Sequence, residues 1–200
     1  MLQHPEVAAD VRAAVGRAVR RAREAAGLSM RALARAGGMS QPFLSQVEKG
    51  ETSPSLSSLY RLAHALGVPP SQLMPAVAAP RGVSVLRQGD GQELAVSDVP
   101  GAARGRLLSG GAGHLLEVVE YDIEPGADLG DWFESDGEMT VYVMGGELEV
   151  TLEHEGSWRL GAGEAISHPA GIRHRWAVAG DTGARVLLSV AHTHPAVARR

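Results

Sequence analysis

Gln41, Phe43, Ser45 and Gln46 occupy one side of the segment QPFLSQVEKG, while Leu44 and Val47 point the other way, as helical spacing requires. A Gln side chain pairs bidentately with N6 and N7 of adenine, so the chemistry on offer is hydrogen bonding to base edges in a DNA major groove. Covalent chemistry is harder to assemble. No Ser-His-Asp set emerges from the spacing, and the chain has no cysteine, which removes disulfides and thiolate metal sites and fits a cytoplasmic location. The glycine-rich run Ser109 to Gly113 lacks a following helix and the Gly-Lys-Ser/Thr ending of a phosphate cradle, so it reads as a hairpin loop. His192-Thr193-His194 has the spacing of a ligand pair, but it stands at the end of the last expected strand, before a proline and a basic tail, and reads as a solvated terminus. His154 lies in a turn and His64 on an exposed helix side, and parity does not settle which side His168 takes.

The groove-facing residues need a scaffold, and the flanking sequence supplies one. Ser29 caps a first helix whose Leu33 and Ala34 face inward, Gly37 and Gly38 end it, Ser40 caps the next, and Met39 staples the entry. Pro42 costs little in a first turn, where backbone donors have no helical acceptor. Upstream, Val11, Val15, Ala18, Val19 and Ala22 recur at helical spacing until Gly27 supplies a left-handed stop. Downstream, Leu56, Leu59, Leu62, Ala63 and Leu66 form another stripe that Gly67 and Pro69 end, and five helices are expected in all.

These residues resemble the XRE family of helix-turn-helix proteins over most of the first 75 positions. The resemblance implies double-stranded operator DNA as partner and an ion pair between Arg23 and Glu48. It implies base-edge contacts from Gln41, Phe43, Ser45 and Gln46, with Ser40 at the opening of their helix, and phosphate contacts from Arg31, Lys49, Ser55 and Ser57. Met30 stands where relatives carry a base-contacting Gln, so no base preference carries over. Charge agrees: residues 1–75 hold eight Arg and Lys49 against five acids, a formal +4, whereas 76–200 hold ten Arg against eighteen acids, a formal −8.

Pro75 to Pro80 reads as a linker, and beyond it the pattern becomes alternating. Short strands are expected at Val83–Arg87, Glu93–Ser97, Gly105–Ser109, Leu115–Asp122, Met139–Met144, Glu147–Leu152, Ser157–Leu160, Glu164–Ser167, Arg173–Val178 and Arg185–Ala191, punctuated by Gly, Pro and Asp. Such a run suggests a closed barrel or jelly roll. Glu124-Pro125-Gly126, Gly145-Gly146-Glu147, and Gly163, Pro169, Gly171 and His174 at their spacing resemble the cupin family over about residues 110–190.

A metal-loaded cupin would place two His at the positions of Phe133 and Ser135, a Glu at Met139 and a last His at His174. One imidazole does not hold a metal against water, so neither a metal nor another cofactor is expected. Glu138 neighbours the ligand position, but a one-residue offset in a strand turns a side chain to the opposite face unless a bulge intervenes. In place of a metal centre, parity gathers Phe133, Ser135, Met139, Val141, His174 and Trp176 into an effector pocket with mostly apolar walls. A filled barrel with His174 as a hydrogen-bonded relic is the rival reading.

The expectation is a multi-domain α plus β chain: a five-helix XRE-type domain over 1–75, a linker over 76–82, an all-β cupin over 83–194 and a tail over 195–200. Its expected function is transcription regulation as a homodimer, with a small organic molecule sensed, or dimerisation mediated, by the cupin and no membrane partner. The alternative is a metal-dependent cupin enzyme of the hydroxypropylphosphonate epoxidase type, disfavoured because of that enzyme's His, Glu, His set only His174 is present.

Overall fold

The computed structural model describes residues 5–68, 70–74, 85–111 and 114–193. The expected linker at 76–82, the first two residues of the expected strand at 83–87, and the tail at 195–200 lie outside them. Four α-helices come first: α1 Pro5–Ala25, α2 Met30–Ala36, α3 Gln41–Lys49 and α4 Leu56–Leu66. Where a fifth helix was expected there is one 3-10 turn, Pro70–Gln72, because the segment between the αL Gly67 and Met74 is too short and proline-rich for a further α-turn.

Each helix begins and ends as its residues dictate. Ser29, Ser40 and Ser55 sit in extended backbone and their hydroxyls accept from the N–H groups of Ala32, Phe43 and Ser58. Gly50 and Gly67 close α3 and α4 at φ 73° and 65°. Val15 and Val19 of α1, Leu33 and Ala34 of α2, Leu44 and Val47 of α3, and Leu59 and Leu62 of α4 form one buried core.

The closest helix contact depends on Gly16. A Cβ there would lie 2.3 Å from the Val47 carbonyl oxygen and 2.9 Å from that of Glu48, so the missing side chain lets α1 seat on the end of α3. Gly16→Ala is expected to destabilise the protein by about 2 kcal/mol, overpacking outweighing the gain in helix propensity. A urea midpoint unchanged from wild type would show that α1 does not bear on α3 as described.

The β-domain consists of β1 Gln92–Ala95, β2 Arg104–Ser109, β3 Leu116–Ile123, β4 Glu138–Gly145, β5 Glu147–Leu152, β6 Gly156–Gly161, β7 Ala165–Pro169, β8 His174–Val178 and β9 Ala184–Ala191. They form a six-stranded sheet in the order β1-β2-β3-β9-β4-β7 and a three-stranded sheet in the order β6-β5-β8, paired antiparallel throughout. The sheets face each other: the Tyr121 ring of β3 meets Trp176 of β8 edge-on at 5.4 Å. Alternation sends Val119, Tyr121 and Ile123, then Met139, Val141 and Val143, then Leu148 and Val150, and Val186, Leu188 and Val190 inward. Residues 85–87 form no strand.

Candidate functional sites

The α2–α3 unit presents one polar face. Arg31, Ser40, Gln41, Gln46 and Lys49 are exposed and Ser45 is half-buried, while Phe43, expected to point outward, packs partly against the core. The turn between the helices is held by Gly38 at φ 61° and by Met39 donating its N–H to the Ala34 carbonyl. At the far end of α3, Arg23 of α1 grips Glu48 bidentately, Nε to Oε1 at 2.6 Å and Nη2 to Oε2 at 2.9 Å, with a third bond to the Leu28 carbonyl. The Glu48 side chain is 5% exposed, so the pair is shielded from solvent as well as two-pronged.

Ser55 and Ser57 are corrections. Ser55 is 3% exposed, its N–H meeting Asp98 Oδ1 at 3.2 Å and its hydroxyl capping α4, and the Ser57 N–H donates to the Val96 carbonyl at 2.9 Å. The start of α4 is thus occupied by a carboxylate of the β-domain, to which Ser58 Oγ also donates at 2.5 Å and which Arg61 approaches at 3.7 Å. Arg61 and His64, the latter 3.3 Å from Glu134, border a wider cleft between the two domains.

The second site lies inside the β-domain. A cavity of about 30 Å³, room for about two waters, is lined by Phe133, Met139, His174 and Trp176 as expected, together with Tyr121, Val96, Leu129 and Leu188. Ser135 and Val141 are not among its lining residues: Val141 is fully buried, and the Ser135 N–H donates to the Ala170 carbonyl. Two further walls come from the helical domain, Leu56 and Tyr60 of α4, with Tyr60 meeting Phe133 edge-on at 5.8 Å. Strand parity could not have found them, since they belong to another fold unit.

Glu138 is exposed and its ladder runs in continuous register through Tyr142, so no bulge turns it inward. Among the described residues no group of three His, Asp or Glu side chains is placed to hold a metal. The side chains at the cupin metal positions, two of them apolar and one a hydroxyl, do not fit the ion.

His174 is 3% exposed and its Nδ1 donates to the Ile172 carbonyl at 3.3 Å. Burial lowers its pKa to about 4, with the Ile172 carbonyl opposing and His168 adding to the fall. The unfolded imidazole takes up a proton near pH 6.5 and the folded one only near 4, so the unfolded state binds more protons between these values and this share of stability is lost as pH falls through the window. It amounts to about 2 kcal/mol between pH 7 and 5. The expected result is a smaller loss for His174→Phe than for wild type in urea unfolding at the two pH values; equal losses would contradict a neutral buried imidazole.

His192 is the plainest correction. Expected on a solvated terminus, its side chain is 1% exposed, with Nδ1 2.8 Å from Asp136 Oδ1 and Nε2 3.6 Å from Glu117 Oε2. Burial works to lower its pKa, but the two carboxylates outweigh it and hold the imidazole above its ordinary value. Glu117 shares the inward parity of Tyr121, is 1% exposed, and has no hydrogen-bond partner at either oxygen. A Glu in that phase of an otherwise apolar strand was the available sequence signal.

Residues 19–73 match the family described as Helix-turn-helix, and residues 119–190 the one described as Cupin domain. The HTH-type transcriptional regulator PuuR of Escherichia coli (strain K12) is 25% identical over 161 residues, covering 80% of this chain and 85% of that protein. An uncharacterized HTH-type transcriptional regulator of Mycobacterium tuberculosis is 49% identical over 53 residues, 26% of this chain and 38% of that one. A crystal structure of an HTH_3 family transcriptional regulator from Vibrio cholerae superposes with a TM-score of 0.65 at 21% identity, over 94% of this chain and 99% of that one, which bears on the fold.

Proposed function

The chain belongs to the helix-turn-helix transcriptional regulators of XRE type that carry a C-terminal cupin domain, and from that premise we propose how it reads DNA and what its cupin does. Helix α3 enters the major groove of an operator. Gln41, Ser45 and Gln46 meet base edges, with Phe43 at the margin of that face, while Arg31, Ser40 and Lys49 hold the flanking phosphates. The observation that carries this reading is the exposed polar face of α3 fixed between two caps and the Arg23–Glu48 pair, since recognition requires a helix whose position is set before it meets DNA.

The partners are operator DNA and a second copy of the chain, two α3 helices then lying about one DNA turn apart. The place of action is the cytoplasm, where such DNA is found. Two facing antiparallel sheets support a small jelly-roll barrel, and its mostly apolar cavity supports a small organic effector rather than catalysis. A ligand that favours one arrangement of the two domains shifts the DNA-competent population by its differential affinity, about 1–3 kcal/mol in typical regulators.

Selection of bound fragments from genomic DNA, followed by titration of two variants, tests the reading. Gln46→Ala is expected to lose about 1–3 kcal/mol of discrimination at one base position, whereas Arg31→Ala weakens binding to every sequence and reduces the salt slope by about one. If both bind the selected site as the parent does, α3 is not the reading helix.

A further inference from the structure

The two sheets turn different side chains outward. On the three-stranded sheet Glu147 and Glu149 of β5, Arg159 of β6 and Arg175 of β8 point away from the core, as the solvated face of an antiparallel sheet should show. On the six-stranded sheet the same parity turns out Leu116 and Val118 of β3, Leu187 and Ser189 of β9, and Thr140 and Tyr142 of β4. Register joins them into one patch: Leu187 lies opposite Tyr142, and Ser189 stands between Val118 and Thr140. Leu116 and Tyr142 are 48% and 40% exposed. Among the described residues the helical domain bears on the β-domain elsewhere, at Val96, Asp98 and Phe133.

Size and charge name the occupant. Five adjacent strands, β2-β3-β9-β4-β7, give a face of roughly 25 Å by 25 Å, the scale of the about 800 Å² that each partner contributes to a standard interface. Two copies of a segment that carries a formal −8 over residues 76–200 repel each other over most of their surface. On this face the charges of β2, β3 and β9 cancel, because Arg106 and Arg185 both hold Glu120, and Asp122 lies opposite Arg185.

The remaining charge supplies a register. Glu138 stands exposed at one end of β4, level with Ala191, and Arg185, its side chain 59% exposed, stands at the other end of β9, level with Gly145. A two-fold axis in the plane of the sheet and across its strands lays β9 on β9 and β4 on β4 in opposite directions, which brings Glu138 of one protomer beside Arg185 of its partner. The same rotation stacks each protomer's Thr140 on the other's Tyr142 and each Ser189 on Leu187, so large side chains meet small ones. An axis along the strands would instead press Glu138 against Leu116 and Tyr142 against Glu120.

We propose that the outer face of the six-stranded sheet is the self-association surface of the chain, an isologous contact with a second copy centred on Tyr142 and Leu187 and set in register by Glu138 against Arg185 of the partner. This contact gives the dimer of the regulator reading its surface, and it rests on that reading only for its effect on DNA, where it sets the span between two α3 helices. Its formation is measured without DNA.

Sedimentation equilibrium of the full chain is expected to show a dimer. Tyr142→Glu is expected to weaken it at least about thirtyfold, since an aromatic ring at the centre of an interface carries a large part of its affinity and the two-fold axis counts the loss twice. Glu138→Arg and Arg185→Glu alone are each expected to weaken it about tenfold, and the two together in one chain to return it to within about threefold of wild type, because the reversed charges meet again. The charge variants change only exposed side chains, so they decide the matter even if Tyr142→Glu does not fold. Glu149→Arg, the same kind of reversal on the outer face of the other sheet, is expected to leave the dimer as it was. A wild-type chain that stays monomeric at millimolar concentration, a dimer indifferent to Tyr142→Glu and to both reversals, or a double reversal as weak as its singles each overturns the proposal, the first giving the face to a different partner and the second placing the dimer contact on another surface. A dimer that responds as expected but ignores every duplex defeats the regulator reading alone.

Discussion

His192→Ala lowers the stability of the protein by about 3–5 kcal/mol, the cost of leaving the buried Glu117 carboxylate without its cation. The imidazole stands between Asp136, at 2.8 Å, and Glu117, at 3.6 Å, and the Glu117 side chain is as buried as the histidine itself. Truncation leaves a cavity and a charge with no solvent to turn to. The pH dependence carries the sign of a raised histidine. Its contribution is complete below the unfolded pKa near 6.5 and is lost as pH rises through the higher folded value, the reverse of His174. Chemical denaturation at pH 6 and pH 9 checks both points. Glu117→Leu combined with His192→Leu removes the pair together and is expected to recover most of the loss, as apolar replacement of buried ion pairs often does. A His192→Ala variant as stable as wild type would mean that the cluster is hydrated and the Glu117 carboxylate not truly buried.

The same cluster marks the boundary of what could be read from sequence. Caps, stops and stripes are local signals, which is why Ser29, Ser40 and Gly67 announce their helices and why nine strands fall near their expected places. Parity likewise assigns Met139, His174 and Trp176 to one interior, because within a strand the alternation is fixed by the backbone. Legibility stops where two distant segments meet. Whether His192 is solvated depends on Asp136 and Glu117 arriving from elsewhere, 56 and 75 positions upstream in the numbering. Whether Ser55 faces phosphate or protein depends on Asp98 of the other domain, and the wall formed by Tyr60 depends on how α4 seats on the barrel. Composition carries no trace of any of these contacts.

Arg23→Ala is expected to cost about 3 kcal/mol of stability and to weaken operator binding beyond what the fraction unfolded accounts for. Arg23 connects three elements: its guanidinium takes both oxygens of Glu48 at the end of α3 and the Leu28 carbonyl in the turn that leads into α2. The carboxylate drives its pKa upward through the hydrogen bond chiefly, against a smaller opposing effect of burial, so the arginine is charged at every working pH. Without it, Glu48 is left shielded and unpaired beside a carbonyl-rich helix end, where the negative end of the macrodipole disfavours a carboxylate. The last turn of α3 then shifts or frays, and that turn carries Lys49 and the backbone against which Gly16 of α1 seats. Stability and recognition separate in the double variant Arg23→Met with Glu48→Leu. Removing both charges is expected to restore the urea midpoint to within about 1 kcal/mol of wild type. Binding measured at a temperature where both proteins are fully folded is expected to stay at least about tenfold weaker, because an apolar contact fills space but does not fix the direction of α3 as a two-pronged ion pair does. Full recovery of operator affinity along with stability would reduce the pair to a packing device and leave the orientation of the reading helix to its caps alone.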